Sequence, residues 1–244
     1  MSKPVVVLDP GHGGYDPGAV AHGLEEKSLN LKLALEVAGR LEGIRVLLTR
    51  DRDVFVSLAD RVALSRRAGA DLFLSLHANA GGGRGFESFI YGGLASGHRA
   101  VTMQQQVHRE VMGALKRWNI IDRGLKKASF YVLRHNPRPA VLIESLFIDN
   151  EREAGLWREQ QFSEILAGGV VRGVRSALGL PPGGDEKAAG DGEAGGGEKA
   201  APVKHQSLYT VQVGAFAYIE NARQRLKEAR EAGFSDAYIY HKHF

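Results

Sequence analysis

The chain has 244 residues, 43% hydrophobic and 25% charged, which suits one sizeable folded domain plus an appendage. It contains no cysteine, so disulfides and thiolate metal sites are excluded, and any metal must be held by His, Asp or Glu, the donors typical of catalytic rather than structural zinc. The net charge of +4 favours an anionic partner, but the Lys and Arg residues are scattered rather than blocked, which argues against nucleic acid.

Met1-Ser2-Lys3-Pro4 enters the first apolar run directly, with no basic and long apolar segment ahead of it, so no secretory signal is expected. No run is long enough to span a bilayer. Val5-Val6-Val7-Leu8 reads as a buried strand that stops at Pro10, and Gly11, Gly13 and Gly14 let the backbone turn around His12. Glu26 stands just ahead of a helix whose apolar positions Leu31, Ala34, Leu35, Ala38 and Leu41 recur at helical spacing, with Gly43 placed to end it. Taken singly, an acid there complements the helix dipole.

Residues 44–49 form a second predicted strand, and Ser57-Leu58-Ala59-Asp60 carries the capping pattern for a helix running to Ala68. Asp71 to Leu76 is a third strand, delivering His77 just past its end, and Gly85 to Tyr91 is a fourth, containing Glu87. Val101, His108, Val111, Leu115 and Trp118 mark one face of a long helix. Phe130 to Leu133 reads as a short strand, and Ala140-Val141-Leu142-Ile143 as another that delivers Glu144 at its end. Asn150 with Glu153 opens a helical region continuing to about Leu178. The alternation predicts an α/β fold: a single twisted, mainly parallel six-stranded sheet flanked by helices.

His12, His77 and Glu144 thus stand at or near strand ends, with Glu26 in the loop after the first strand. The carboxyl ends of parallel strands share one edge, so these side chains can converge. Two imidazoles and one carboxylate make a catalytic zinc set with the fourth position open, and a second carboxylate can then move the proton of an attacking water. Spacing alone does not decide which carboxylate is the ligand. It leaves open a metallohydrolase or a small-molecule-binding α/β domain.

The ordered motifs Leu8-Asp9-Pro10-Gly11-His12-Gly13-Gly14, Asp16-Pro17-Gly18-Ala19, Glu26-Lys27 with Leu29-Asn30-Leu31, Leu48-Thr49-Arg50 and Ser75-Leu76-His77-Ala78-Asn79-Ala80 go further. Together they resemble the zinc-dependent N-acetylmuramoyl-L-alanine amidases of bacterial cell-wall turnover (the amidase 3 family), over about residues 4–178. The resemblance implies Zn2+ held by His12, Glu26 and His77, and Glu144 as the catalytic glutamate. It implies peptidoglycan as substrate, cut between the lactyl group of muramic acid and L-alanine. Asn79 is assigned to hydrogen-bond substrate or groups around the metal, and Glu87 to support them from outside; the plainer alternatives are a turn-stabilising Asn and a solvent-facing strand Glu. Where the family commonly has Glu-Thr-Gly-Phe, this chain has Glu144-Ser145-Leu146-Phe147, which implies a changed backbone or a bulkier wall beside Glu144.

Residues 1–180 are therefore expected to form the catalytic domain. Residues 181–202, rich in Gly, Ala, Glu and Lys, form a flexible linker spanning roughly 25 Å on average. Tyr209 to Phe216, a helix over 221–232 and a strand over 237–240 resemble the start of a SPOR domain, whose relatives bind peptide-stripped glycan strands; about half of such a domain is present in 203–244. His22, His98, His108, His135, His205, His241 and His243 are read as non-ligands. The expected protein is a monomer with no nucleic-acid or membrane partner. It would be made in the cytoplasm and reach the wall through mother-cell or phage lysis, or by export. The rival functions are another zinc amidohydrolase or peptidase, and a non-catalytic wall-binding regulator.

Overall fold

The computed structural model describes residues 2–182. The linker at 181–202, apart from Pro181 and Pro182, and the 203–244 unit lie outside the described residues, as do His205, His241 and His243. In chain order the elements are β1 (Val5–Pro10), β2 (Val20–Ala21), β3 (Leu24–Glu25), α1 (Glu26–Arg40), β4 (Arg45–Leu48), α2 (Leu58–Ala68), β5 (Leu72–Asn79) and β6 (Phe86–Tyr91). There follow α3 (Arg99–Leu115), β7 (Asp122–Ala128), α4 (Tyr131–Arg134), β8 (Ala140–Phe147), α5 (Glu151–Arg158) and α6 (Gln160–Ala177).

Six strands form one sheet in the order β4-β1-β5-β8-β6-β7, and β2 and β3 pair as a separate antiparallel ribbon. All neighbours in the large sheet are parallel except β6 and β8. The expected α/β class and mainly parallel sheet are the observed ones. The central strands are apolar on both faces because helices cover both. Val6, Leu8, Leu74, Leu76, Val141 and Ile143 pack with α1, α3 and α6 on one face. Val7, Phe73, Ala140 and Leu142 pack with α2 and α4 on the other. Between α3 and α6 the backbones approach closely: a Cβ on Gly173 would lie 2.8 Å from the Val107 backbone.

Several boundaries differ from expectation. Phe130–Leu133 is not a strand; Tyr131–Arg134 is a single helical turn. The sixth strand is β7, whose Arg123, Lys126 and Lys127 gave no apolar signal because it is an edge strand with half its residues in solvent. Glu26 is the first residue of α1 rather than ahead of it. His77 and Glu144 lie inside β5 and β8, directly paired, rather than past their ends. The last helical region is broken at Glu159 into α5 and α6. Ser57 and Asn150 cap as expected, accepting from the Asp60 and Glu153 amides.

Candidate metal centre

β1 lies between β4 and β5, and the chain leaves it in one direction through α1 and returns through α2 on the opposite face. That makes the β1/β5 boundary a topological switch point, where open α/β sheets leave a crevice at the strand carboxyl ends. His12 lies just past β1 and His77 near the end of β5, so both reach this crevice. Glu26 reaches it from the start of α1, because the Glu26 and Lys27 amides bond back to the Ala19 and Pro17 carbonyls and pin the helix there.

Glu26 Oε2 is 3.2 Å from His12 Nε2, and Glu26 Oε1 is 2.8 Å from His77 Nδ1. One ligand atom from each of the three residues lies within 4.8 Å of the others. The packing leaves no latitude: a Cβ on Gly11 would fall 2.1 Å from the His77 ring, and one on Gly18 would lie 2.5 Å from Glu26 Oε2. His12 itself adopts φ 61°, a conformation costly for a residue with a side chain. Its loop is held by two buried arginines. Arg61 donates to the His12 carbonyl at 2.8 Å and Arg50 to the Gly11 carbonyl at 2.8 Å. Arg61 is in turn paired at 2.7 Å with buried Asp9, which also accepts from Thr49 and Ser75.

The supporting contacts fix ring orientation. Asp16 Oδ2 accepts from His12 Nδ1 at 2.8 Å, turning Nε2 towards Glu26. Burial works to lower the His12 imidazole, but hydrogen bonds to Glu26 and Asp16 outweigh it and raise it to about 9. His77 is also raised, against burial, by Glu26 and by the charge of Glu144. Glu26 is held far below the ordinary carboxylate range; burial opposes this, and the two imidazoles and the Ala19 amide overcome it. A cluster that draws positive charge onto two imidazoles around a carboxylate is suited to a dication, which would displace those protons. The donor set of two nitrogens and one oxygen matches a catalytic zinc site.

Glu144 pairs with His77 across β5 and β8 and with Glu87 across β6 and β8. Its Oε2 is buried without a hydrogen-bond partner. Burial pushes its carboxyl up to about 7, with His77 pulling down and Glu26 and Glu87 adding to the rise. A carboxyl poised near neutrality beside a metal-binding cluster can accept and return a proton. Glu87 is buried, not solvent-facing, and accepts from Asn79 Nδ2 at 2.7 Å, Arg123 Nε at 2.7 Å and Lys126 Nζ. Asn79 also accepts from the Ala80 amide, so it stabilises the turn as well as bonding Glu87.

Leu146 retains the backbone a glycine adopts freely, at φ 67°. Its side chain is fully buried in the core with α3 and α6, on the far side of the sheet, so it builds no wall beside Glu144. β8 carries one extra residue against β5 between Glu144 and Phe147, a bulge that accommodates Ser145 and Leu146. Sequence reasoning missed Asp9, Asp16, Asn30 and Arg61. Asp16, four residues after His12, and Asn30, one helical turn after Glu26 and donating to its Oε1 at 3.3 Å, were nearest to a legible signal; Asp9 and Arg61 act through contacts distant in sequence.

An α/β sheet thus carries, at its switch point, a His-Glu-His cluster whose donors could hold a metal ion. A family model described as N-acetylmuramoyl-L-alanine amidase matches residues 6–176, and one described as SPOR domain matches 197–243. The chain belongs to the N-acetylmuramoyl-L-alanine amidase family. It is 39% identical over 233 residues to the sporulation-specific N-acetylmuramoyl-L-alanine amidase of Bacillus subtilis (strain 168), covering 94% of this chain and 82% of that protein. It is 42% identical over 184 residues to an endolysin of Bacillus phage SPP1, covering 74% and 68%. Among solved structures, an N-acetylmuramoyl-L-alanine amidase from Clostridium difficile 630 superposes with a TM-score of 0.68 at 32% identity, covering 77% of this chain and 100% of that one. Among the described residues no helix is long and apolar enough to cross a membrane.

Proposed function

We propose that this chain is a zinc-dependent amidase that cleaves peptidoglycan between the lactyl group of N-acetylmuramic acid and L-alanine, with His12, Glu26 and His77 holding the metal and Glu144 as general base and acid. The observation that carries the reading is the three-residue cluster, with ligand atoms within 4.8 Å of one another, beside the unpartnered carboxylate oxygen of Glu144. Bound there, zinc supplies Lewis-acid polarisation of a carbonyl and acidifies water.

The protein's own groups do the rest. Asp16 keeps the His12 ring turned so that Nε2 points into the cluster. Arg50 and Arg61 fix the backbone of the loop that carries it. Glu144 Oε2, with no partner of its own, takes the proton of the attacking water and delivers it to the leaving nitrogen of L-alanine. Asn79, Arg123 and Lys126 hold Glu87 in place beside Glu144.

In the same reading, residues 1–180 form the catalytic domain, 181–202 a linker, and 203–244 a SPOR-type unit that holds the enzyme on glycan strands. The likeness to a sporulation amidase and to a phage endolysin supports action on the wall at a lysis step.

The test is purified peptidoglycan with and without a chelator, followed by zinc restoration. Turnover that stops and returns, with new L-alanine amino termini and intact glycan chains, is the expected result. Unchanged turnover under chelation overturns the zinc assignment. Products other than an L-alanine amino terminus point to a different amidohydrolase or peptidase.

A further inference from the structure

Beyond Glu144, the polar row on this face of the sheet continues onto β6 and the edge strand β7. Glu87 of β6 pairs with Glu144 across the antiparallel ladder, so their side chains share a face about 5 Å apart. Glu87 Oε2 accepts from both Arg123 and Lys126 of β7, while Oε1 is taken by Asn79. One buried carboxylate thus faces two cations, so neither cation is held by Glu87 alone. The guanidinium of Arg123 lies 4.9 Å over the Phe147 ring, and its Nη1 reaches only the Arg84 carbonyl at 3.5 Å. Its Nη2 has no hydrogen-bond partner among the described residues, and the side chain is 32% exposed. The Phe147 ring beneath it and the Nε bond to Glu87 hold the guanidinium while its Nη2 stays unpartnered on a part-exposed side chain, a donor available for a carboxylate.

This inference rests on the amidase reading. In peptidoglycan the residue after L-alanine is a γ-linked D-glutamate whose α-carboxyl is either free or amidated. Two residues of extended chain reach about 7 Å, so a stem peptide that runs from an amide bond at Glu144 towards β7 places that α-carboxyl within reach of Arg123. We propose that Arg123, supported by Glu87 and assisted by Lys126, is the specificity residue that receives the free α-carboxylate of the second stem-peptide residue. The enzyme therefore discriminates between stem peptides with D-isoglutamate and those with D-isoglutamine.

The experiment uses the full chain loaded with zinc and two soluble disaccharide tetrapeptides that differ only in that carboxylate or carboxamide. The wild type is expected to show a lower KM for the carboxylate form. Because Arg123 also holds Glu87 beside Glu144, Arg123→Ala is expected to lower kcat on both substrates alike; the specific reading is the ratio, with KM for the carboxylate form rising about tenfold relative to KM for the carboxamide form, as loss of a charge-assisted contact made to substrate requires. Arg123→Lys is expected to restore part of the discrimination. An equal change of KM on both substrates, or none on either, overturns the assignment while leaving the amidase reading intact. Absence of any L-alanine amino terminus from either substrate with the wild type removes the amidase reading, and this inference with it.

Discussion

On the face covered by α1, α3 and α6, the side chains of β1, β5 and β8 stay apolar along the strands: Val6 and Leu8, Leu72 to Ala78 in alternation, Val141 and Ile143. On the face covered by α2 and α4 the same strands begin apolar, with Val7, Phe73 and Leu142, and then change character. Asp9, Ser75, His77 and Glu144 follow in the alternating positions, and Glu87 continues the row on β6. α4 is only four residues long, so this layer covers only part of the face. One face therefore supplies stability through burial. The other uses the rigidity so gained to hold charges at fixed spacing, which would be costly to bury unpaired.

The difference can be broken at the charged face first. Glu144→Gln is expected to lower turnover by about 10²- to 10⁴-fold with the fold unchanged; peptide release and circular dichroism measure the two halves, and zinc should remain bound. Arg61→Met leaves Asp9 buried at 1% exposure without its cation, and is expected to cost about 3–5 kcal/mol in denaturant unfolding. The apolar face gives a smaller effect by the opposite means. Gly173→Ala places a methyl group against the Val107 backbone and is expected to cost about 1–3 kcal/mol without touching the zinc content. The smallest effect belongs to neither face: Asn150→Ala removes the α5 cap and is expected to cost about 1 kcal/mol.

Acidity sharpens the same contrast. In the metal-free protein Glu144, raised from 4.5 to about 7, and His12, raised from 6.5 to about 9, both bind more protons folded than unfolded. Folded stability should therefore fall as pH climbs through those two windows, whereas the lowered Glu26 acts only below 4.5. Zinc competes with the same protons, so the gain in Tm on adding it should grow over that range. A metal-free Tm that rises from pH 5 to 9 would contradict the charge assignment.

What could be read from the sequence follows the same division. The apolar strands β1, β5 and β8 and the capped helices announce themselves by periodicity, because burial demands it. The edge strand β7 does not, since Arg123, Lys126 and Lys127 reveal only that it is wet. Phe130 to Leu133 is a short apolar run, and such a run suits a buried helical turn as well as a strand. The candidate ligands were legible as residue types near strand ends and through ordered motifs. Their convergence was expected from the shared carboxyl edge of parallel strands, but the features that enforce it were not legible: the reversal of strand order at β1 and Arg61 reaching back to the His12 carbonyl.

Leu146 couples the two layers mechanically. Its side chain is fully buried in the large apolar cluster that α1, α3 and α6 also line, two residues along the backbone from the Glu144 carboxyl on the opposite side. Repacking those helices would tug on Glu144 without any substitution near the groove, so distant core changes should surface as lost turnover before they surface as lost fold.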